Sequence, residues 1–331
     1  MFALTGCGGE AKETLSVYNW GDYMDDSLIS EFEAKYNIKV DYQTFATNED
    51  MYYKIQQDPS SFDIIFPSDY MIEKMAKEGL LAEIDYNNIP NYANVGENFK
   101  GLDYDPDNKY SVPYLWGTLG IIYNSKLVNG TIDSWDVLWD PQYKGEILMY
   151  DSVRDTVGVS LKRLGYSINS TNLDELEKAK AELIKQKPLV RGYVGDNIKD
   201  MLISEEAAIG VGYSGEVMYM MENNPNLRYV IPKEGTNLWF DAMAIPAGAK
   251  NKKNAELFIN FMLEAESGKK NVEYMGYCTP NTKTLELIGK EFYAESNTYP
   301  DDETIKNSEV FIDVADFLKE YNRIWTEIKV Q

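Results

Sequence analysis

Aromatic rings and carboxylates stand together at five points of this chain: Trp20-Gly21-Asp22-Tyr23, Ser68-Asp69-Tyr70, Asp151-Ser152-Val153-Arg154-Asp155, Tyr213-Ser214-Gly215-Glu216 and Trp239-Phe240-Asp241. A carboxylate holds an ammonium through charge-assisted hydrogen bonds and so replaces the water that the cation gives up on burial. A ring face adds about 0.5–2 kcal/mol to a cation placed over it. The same face covers a methylene stem and loses little conformational entropy in doing so. Together these residues suit a flexible organic polycation with ammonium groups at its ends. Each also has a plainer use. A Trp or Tyr at such a point can belong to the core or its rim, and an Asp can cap a helix. Asp155 and Glu216 can be first-turn acids favoured by the helix dipole.

Composition narrows the chemistry. The 331 residues include no histidine, which removes Ser-His-Asp and Cys-His catalysis, the usual general base near neutral pH and most transition-metal sites. Catalysis by paired carboxylates stays open, with Asp151 and Asp155 as the pair. A receptor for an amino acid would need an arginine clamp, and only Arg154 and Arg191 lie near the candidate loops. The formal charge of −22 excludes a general nucleic-acid binder, which needs a basic face. An acidic surface instead concentrates cations near the molecule. No stretch approaches the ~18–20 apolar residues that span a bilayer.

The five points need a scaffold that brings them to one place. Short apolar runs alternate with helical segments from Leu15 onward: LSVYNW, a helix from Asp26, IKVDYQTF, EDMYYKIQQ, FDIIFP and YMIEKMAKEG. After LWGTLGIIYN a second series follows, with EILMY, a helix from Arg154, NLDELEKAKAELIKQ, PLVRGYV, DNIKDMLI, AAIGVG, a helix from Ser214 and LRYVIP. LWFDAMAIP then returns as an extended segment, followed by the helix NAELFINFML and a last helix over VFIDVADFLKEYNRIW. Such alternation predicts parallel α/β layers, and a chain of this length makes two cores. Ligands of such proteins sit where loops leave the carboxyl ends of strands, which is where the five points fall.

Gly210-Val211-Gly212-Tyr213-Ser214-Gly215 matches the G-x-G-x-x-G pattern of dinucleotide-binding turns. Glu216 at the following helix start would repel a pyrophosphate, so the match is read as chance. Of the two cysteines, Cys278 reads as a small, partly buried residue in a turn. Cys7 ends Leu4-Thr5-Gly6-Cys7 and is followed by a Gly-Gly tether. That tetrapeptide resembles a bacterial lipobox, which implies a diacylglyceryl thioether on Cys7. Met1 to Gly6 is shorter than an export signal, so residues 1–13 are expected to be a leader stump and tether.

From about Leu15 to the C-terminus the chain resembles the substrate-binding component of a spermidine/putrescine ABC transporter. The ordered marks are Tyr18-Asn19-Trp20-Gly21-Asp22-Tyr23, Phe66-Pro67-Ser68-Asp69-Tyr70, Ser111-Val112-Pro113-Tyr114-Leu115-Trp116-Gly117, Trp239-Phe240-Asp241-Ala242-Met243-Ala244-Ile245-Pro246, Gly276-Tyr277-Cys278-Thr279-Pro280-Asn281 and Tyr299-Pro300-Asp301. The resemblance implies an α/β, two-lobed type II periplasmic-binding-protein fold with hinge strands crossing near Trp116-Gly117 and Trp239-Phe240. Residues 14–117 with 241–285 would form one lobe, and 118–240 with 286–331 the other.

Trp20, Tyr23, Ser68, Tyr70, Trp239, Asp241 and Tyr277 match family positions that contact the polyamine. Asp155 matches a position that is usually glutamate and binds an ammonium. Tyr213 stands where many members have tryptophan, and Glu216 where putrescine-preferring members have aspartate. Asp22 and Asp69 complete the expected site as its flanking carboxylates. Ser152 replaces an acid found in some spermidine-preferring members, and Phe311 falls near a glutamine that seats the third amine. Those two departures lean toward putrescine while the acidic pocket still admits spermidine, so the choice stays open. The resemblance further implies a monomeric extracytoplasmic receptor held to the membrane only through Cys7, with no catalysis, cofactor or metal. Its partners would be a permease and that permease's ATPase.

Overall fold

Leu15, Val17 and Asn19 are buried while Ser16, Tyr18 and Trp20 between them are only half so, the two-residue period of a strand whose faces meet different surroundings. This strand opens the structure, a computed structural model that describes residues 13–294, 296–314 and 317–330. Cys7, and with it the lipid-attachment reading, lies outside the described residues.

The first series is β1 (Glu13–Trp20), α1 (Asp26–Tyr36), β2 (Ile38–Phe45), α2 (Asn48–Gln57), β3 (Ile64–Ile65) and α3 (Asp69–Lys77). Asp25 caps α1 by accepting from the Ser27 N–H at 2.9 Å, and Asn37 ends the helix at φ +56°, a left-handed position that asparagine tolerates. Short 3-10 turns then lead to β4 (Ser111–Asn124). The second series is β5 (Ile147–Tyr150), α4 (Val153–Arg163), α5 (Leu173–Gln186), β6 (Val190–Val194), α6 (Ile198–Ile203), β7 (Ile209–Tyr213), α7 (Glu216–Asn223) and β8 (Leu227–Val230). The chain returns through β9 (Leu238–Ala244) and ends with α8 (Lys252–Met262), α9 (Ala265–Met275), α10 (Thr282–Ile288), α11 (Asp302–Asn307) and α12 (Leu318–Val330).

β1 lies between β2 and β3 in parallel, and β9 runs antiparallel between β3 and β4. β4 is long enough to serve two sheets. Its first half pairs with β9, Trp116 opposite Phe240 and Gly117 opposite Trp239. Its second half lies between β7 and β8, and β5 joins β7 to β6. The crossing strands thus fall where the sequence resemblance put them.

The buried apolar residues divide on either side of this crossing. One core gathers Leu15, Phe32, Ile64, Phe66, Phe240 and Phe258, drawn from before Gly117 and after Asn237. The remainder centre on Trp135 with Ile147, on Leu176 with Tyr321, and on Leu148 with Leu202. Tyr293 is buried in the first core and Tyr299 packs against it, so the chain past residue 285 still contributes to that side. The fold is the two-lobed α/β arrangement expected.

The last helix is shorter than its apolar run predicts. Residues 308–314 are irregular and α12 begins at Leu318. Side chains take the backbone groups that a helix would have satisfied. Asn169 donates to the Val310 carbonyl (2.8 Å) and accepts from the Ile312 N–H (3.1 Å), Arg154 donates to the Ile312 carbonyl (3.2 Å), and Glu73 accepts from the Asp313 N–H (3.0 Å).

Where β4 passes β8, Gly120 leaves room for Tyr229; a methyl there would overlap its ring and hydroxyl. That hydroxyl donates to the Thr118 carbonyl at 3.0 Å and meets the Thr118 hydroxyl at 2.8 Å, so the ring has little freedom to retreat. Gly120→Ala is therefore expected to destabilise the protein by about 1–3 kcal/mol through overpacking, read as a lower urea midpoint at unchanged slope.

Candidate ligand-binding site

The crossing strands place Trp239 opposite Gly117, where a Cβ would stand 2.7 Å from the indole. Glycine thus lets the indole lie against β4. Two rings meet Trp239 edge-on: Tyr277, just after α9, at 4.9 Å between centroids, and Tyr213, at the end of β7, at 6.0 Å. Tyr23, after β1, continues the series 5.7 Å from Tyr277. The resulting row, Tyr213–Trp239–Tyr277–Tyr23, draws on the ends of β7 and β1, the start of β9 and the turn after α9, and its last three members are buried.

Carboxylates sit along this row. Beside Tyr23, Asp241 accepts from its hydroxyl at 2.7 Å, while Oδ1 is buried with no hydrogen-bond partner. At the other end Asp155 accepts from Tyr213 (3.0 Å) and Ser152 (2.6 Å) on Oδ2, and from Asn237 (3.5 Å) on Oδ1. Glu216 opens α7 beside Tyr277; Lys199 approaches its Oε1 at 3.4 Å, and Oε2 is buried without a partner. The Trp239 indole N–H and the Asn237 side-chain amide oxygen Oδ1 are likewise buried and unpartnered.

Burial opposes charge on all three acids. It lifts Asp241 to about 6 against the hydrogen bonds of Ser68 and Tyr23, and Glu216 to about 7 against the attraction of Lys199. It also raises Asp155, opposed chiefly by the hydrogen bonds of Ser152 and Tyr213. Such groups are ready to accept from a cation that enters with them.

The structure treats the other expected residues differently. Ser68 bridges to Asp241 in antiparallel fashion, and its hydroxyl accepts from Asn48 at 3.0 Å. Tyr70 accepts from Asn48 (3.1 Å) and donates to Glu49 (3.2 Å). Trp20 donates its indole N–H to the Phe66 carbonyl (2.8 Å) and packs on Phe45. Asp69 is a brace rather than a free carboxylate: its oxygens accept from the Tyr70 N–H (2.7 Å) and the Phe240 N–H (3.1 Å), tying α3 to β9. Asp22 stays exposed at φ +50° and accepts from Tyr274 at 2.6 Å, outside the buried row.

Three neighbours escaped the sequence reading. Asn237 has a signal there, since positions 237, 239 and 241 recur every second residue. Lys199 and Asn48 have none, because their partners come from other elements. The G-x-G-x-x-G stretch is explained by packing: a Cβ at Gly210 would stand 2.8 Å from Leu202, one at Gly212 2.8 Å from Ile122, and one at Gly215 would overlap Tyr277.

Residues 27–306 match the profile of the family described as bacterial extracellular solute-binding protein. The chain belongs to that family. This solute-binding protein is 37% identical over 320 residues to the spermidine/putrescine-binding periplasmic protein of Salmonella typhimurium, covering 96% of its own length and 92% of the relative's. Among solved structures it is similar to a putative spermidine/putrescine ABC transporter from Listeria monocytogenes, with 47% identity and a TM-score of 0.89 over 96% of this chain and 99% of that one. It is also similar to the spermidine/putrescine ABC transporter substrate-binding protein from Streptococcus pneumoniae, with 43% identity and a TM-score of 0.88 over the same shares. Among the described residues no helix of the solute-binding protein is long and apolar enough to cross a membrane.

Proposed function

We propose that this solute-binding protein closes its two lobes around a polyamine of the putrescine or spermidine kind and passes it, chemically unchanged, to a membrane permease driven by an ATPase. The observation that carries the reading is the row of four rings with Asp155 and Asp241 at its ends. The buried, unpartnered oxygen of Asp241 points to a ligand that brings donors with it. Relatives named for spermidine and putrescine support the same class of ligand.

In this mechanism the methylene stem lies along Trp239 and Tyr277, while Asp241 and Asp155 take the terminal ammonium groups. Tyr23, Ser152 and Tyr213 hold those carboxylates in place. Trp20, Ser68 and Tyr70 line the approach, Asp69 secures the crossing strand, and Asp22 marks the mouth. Closure turns about β4 and β9, and the ligand selects the closed form by touching both sides. The lobes are residues 14–117 with 241 through the Tyr293 region, and 118–240 with the C-terminal helix. Cys7 carries the lipid that keeps this monomeric receptor at the outer face of the membrane.

A thermal-shift screen of amines, amino acids and sugars tests the reading. Putrescine or spermidine at 100 times its dissociation constant adds about 2.7 kcal/mol to stability and is recovered unchanged by mass spectrometry. A shift with an amino acid or sugar and none with any amine would reject polyamine binding, and recovery of a converted amine would reject a purely binding role.

A further inference from the structure

Lys199 lies on α6, outside the row of rings, and its ammonium stands 3.4 Å from the Glu216 carboxylate, whose side chain is only 11% exposed. Burial opposes the lysine's charge, and the attraction of Glu216, then of Asp196 in the same lobe and of Asp22 in the other, outweighs it. Asp196 is held in turn by the Tyr150 hydroxyl at 3.0 Å, and Tyr150 packs edge-on against Tyr213 at 5.0 Å. A primary ammonium on a four-carbon stem is thus built into the cleft, on the one carboxylate of the three that neither rings nor hydroxyls hold.

We infer that Lys199 is a specificity-determining residue: its tethered ammonium occupies the Glu216 position and makes the cleft select a ligand with two ammonium groups over one with three. The inference rests on the polyamine reading above and deepens it. Asp155, Asp241 and Glu216 would together match a triamine in charge. With Lys199 on Glu216, two carboxylates remain for the ligand, which a diamine satisfies.

A third ammonium must then displace a side chain already in place, or be buried unpaired, which is strongly unfavourable. The tether favours the lysine, since its binding to Glu216 loses no translational freedom. The other end of the row offers no relief. Behind Asp155 a small cavity is bounded by Phe311, Ile168 and a second lysine, Lys162, already paired with Glu309 at 2.6 Å. A longer ligand therefore meets a lysine in either direction.

Titration calorimetry with putrescine and spermidine on the wild type, Lys199→Met and Lys199→Arg tests this. The wild type should bind putrescine on the order of tenfold more tightly than spermidine, Lys199→Met should shift that ratio toward spermidine by about tenfold or more, and Lys199→Arg should keep it. Lys199 is partly exposed on a short helix, and circular dichroism confirms that the variants fold. Should Lys199→Met not fold, the wild-type ratio still decides: a preference for spermidine overturns the inference. A folded Lys199→Met that keeps the wild-type ratio overturns it as well, while leaving polyamine binding intact. Failure of the wild type to bind either amine overturns the polyamine reading and this inference together.

Discussion

Asp241→Asn is expected to weaken polyamine binding by about 2–5 kcal/mol, roughly 30-fold to several-thousand-fold, because an ammonium is left buried against a neutral amide. The unpartnered Oδ1 of Asp241 is the strongest acceptor beside the Tyr23–Tyr277 rings. An amide in its place loses the charge and can turn a donor toward the ligand. Without ligand the sign reverses. Burial holds Asp241 at about 6, above its ordinary 3.8, so ionising it costs stability. That cost is absent below the unfolded value, grows as pH rises between about 4 and about 6, and is complete above. The asparagine variant should accordingly be as stable as the wild type at pH 4 and more stable at pH 7.

The groups facing Asp241 are Tyr23, Tyr104, Tyr114 and Tyr277, all with phenols raised by burial, the Ser68 hydroxyl, and Asp69, itself held well above the usual carboxylate range by burial. The phenols stay neutral throughout the window. Calorimetry gives the affinity and thermal melts at pH 4, 5, 6 and 7 give the stability difference. An unchanged affinity would remove Asp241 from the site, and a difference that does not grow with pH would contradict its buried ionisation.

The second large effect is expected at Gly215. Its backbone is helical (φ −67°, ψ −31°), so alanine meets no torsional objection there. The obstacle is space: a methyl would overlap the Tyr277 ring, and the Gly215 carbonyl already lies within 2.5 Å of where a Cβ on Gly276 would stand. In the proposed two-lobed mechanism Gly215 heads a helix of one lobe, while Tyr277 and Gly276 follow a helix of the other, so this contact would be made as the cleft shuts. Tyr277 has no easy retreat, with Trp239 and Tyr23 against its ring and its carbonyl accepting from Tyr293 at 3.0 Å.

Gly215→Ala should therefore act on closure. Affinity falls by about 1–3 kcal/mol, while unfolding of the ligand-free protein, whose lobes can stand apart, shifts by less. Small-angle scattering with saturating polyamine should show the wild type contracting and the variant remaining extended. Equal contraction of both proteins would mean that the contact at Gly215 does not limit closure.

Much of the scaffold was legible because its elements bury one face at a regular period. Ile38–Phe45 was read to the residue from its alternation, and Leu28 and Phe32 of α1 mark a helical face. The end of the chain was not. The apolar run Val310–Ile312 reads as the start of the last helix, yet Phe311 packs under the Arg154 guanidinium at 4.4 Å, and Asn169 takes the backbone there. α9 and α10 were missed because their faces are mostly polar, with Gly268 inside one and Leu287 exposed on the other.

The same contrast holds in the cleft. Rings beside acids are visible in sequence, so Trp239, Asp241, Tyr213 and Asp155 could be named together, although Trp239 and Asp241 lie within β9 rather than at a strand end. Whether an acid at a strand end is free or engaged is decided by three-dimensional neighbours. Asp69 accepts a backbone N–H from a strand far along the chain, and Asp22 turns toward Tyr274. Lys199 and Glu216 belong to different helices, and no local pattern links them.

The position of β9 between β3 and β4 has a consequence for how the polypeptide matures. In a chain delivered from its N-terminus, everything up to Asn237 arrives before the strand that the first sheet needs at its centre. Until then β3 and β4 face each other across a gap with unpaired edges. Closing so long a loop slows folding, and bare edges invite pairing with other chains. A nascent chain stopped before Leu238 has no complete sheet to settle into, so premature termination or cleavage there yields an aggregating fragment rather than a functional half.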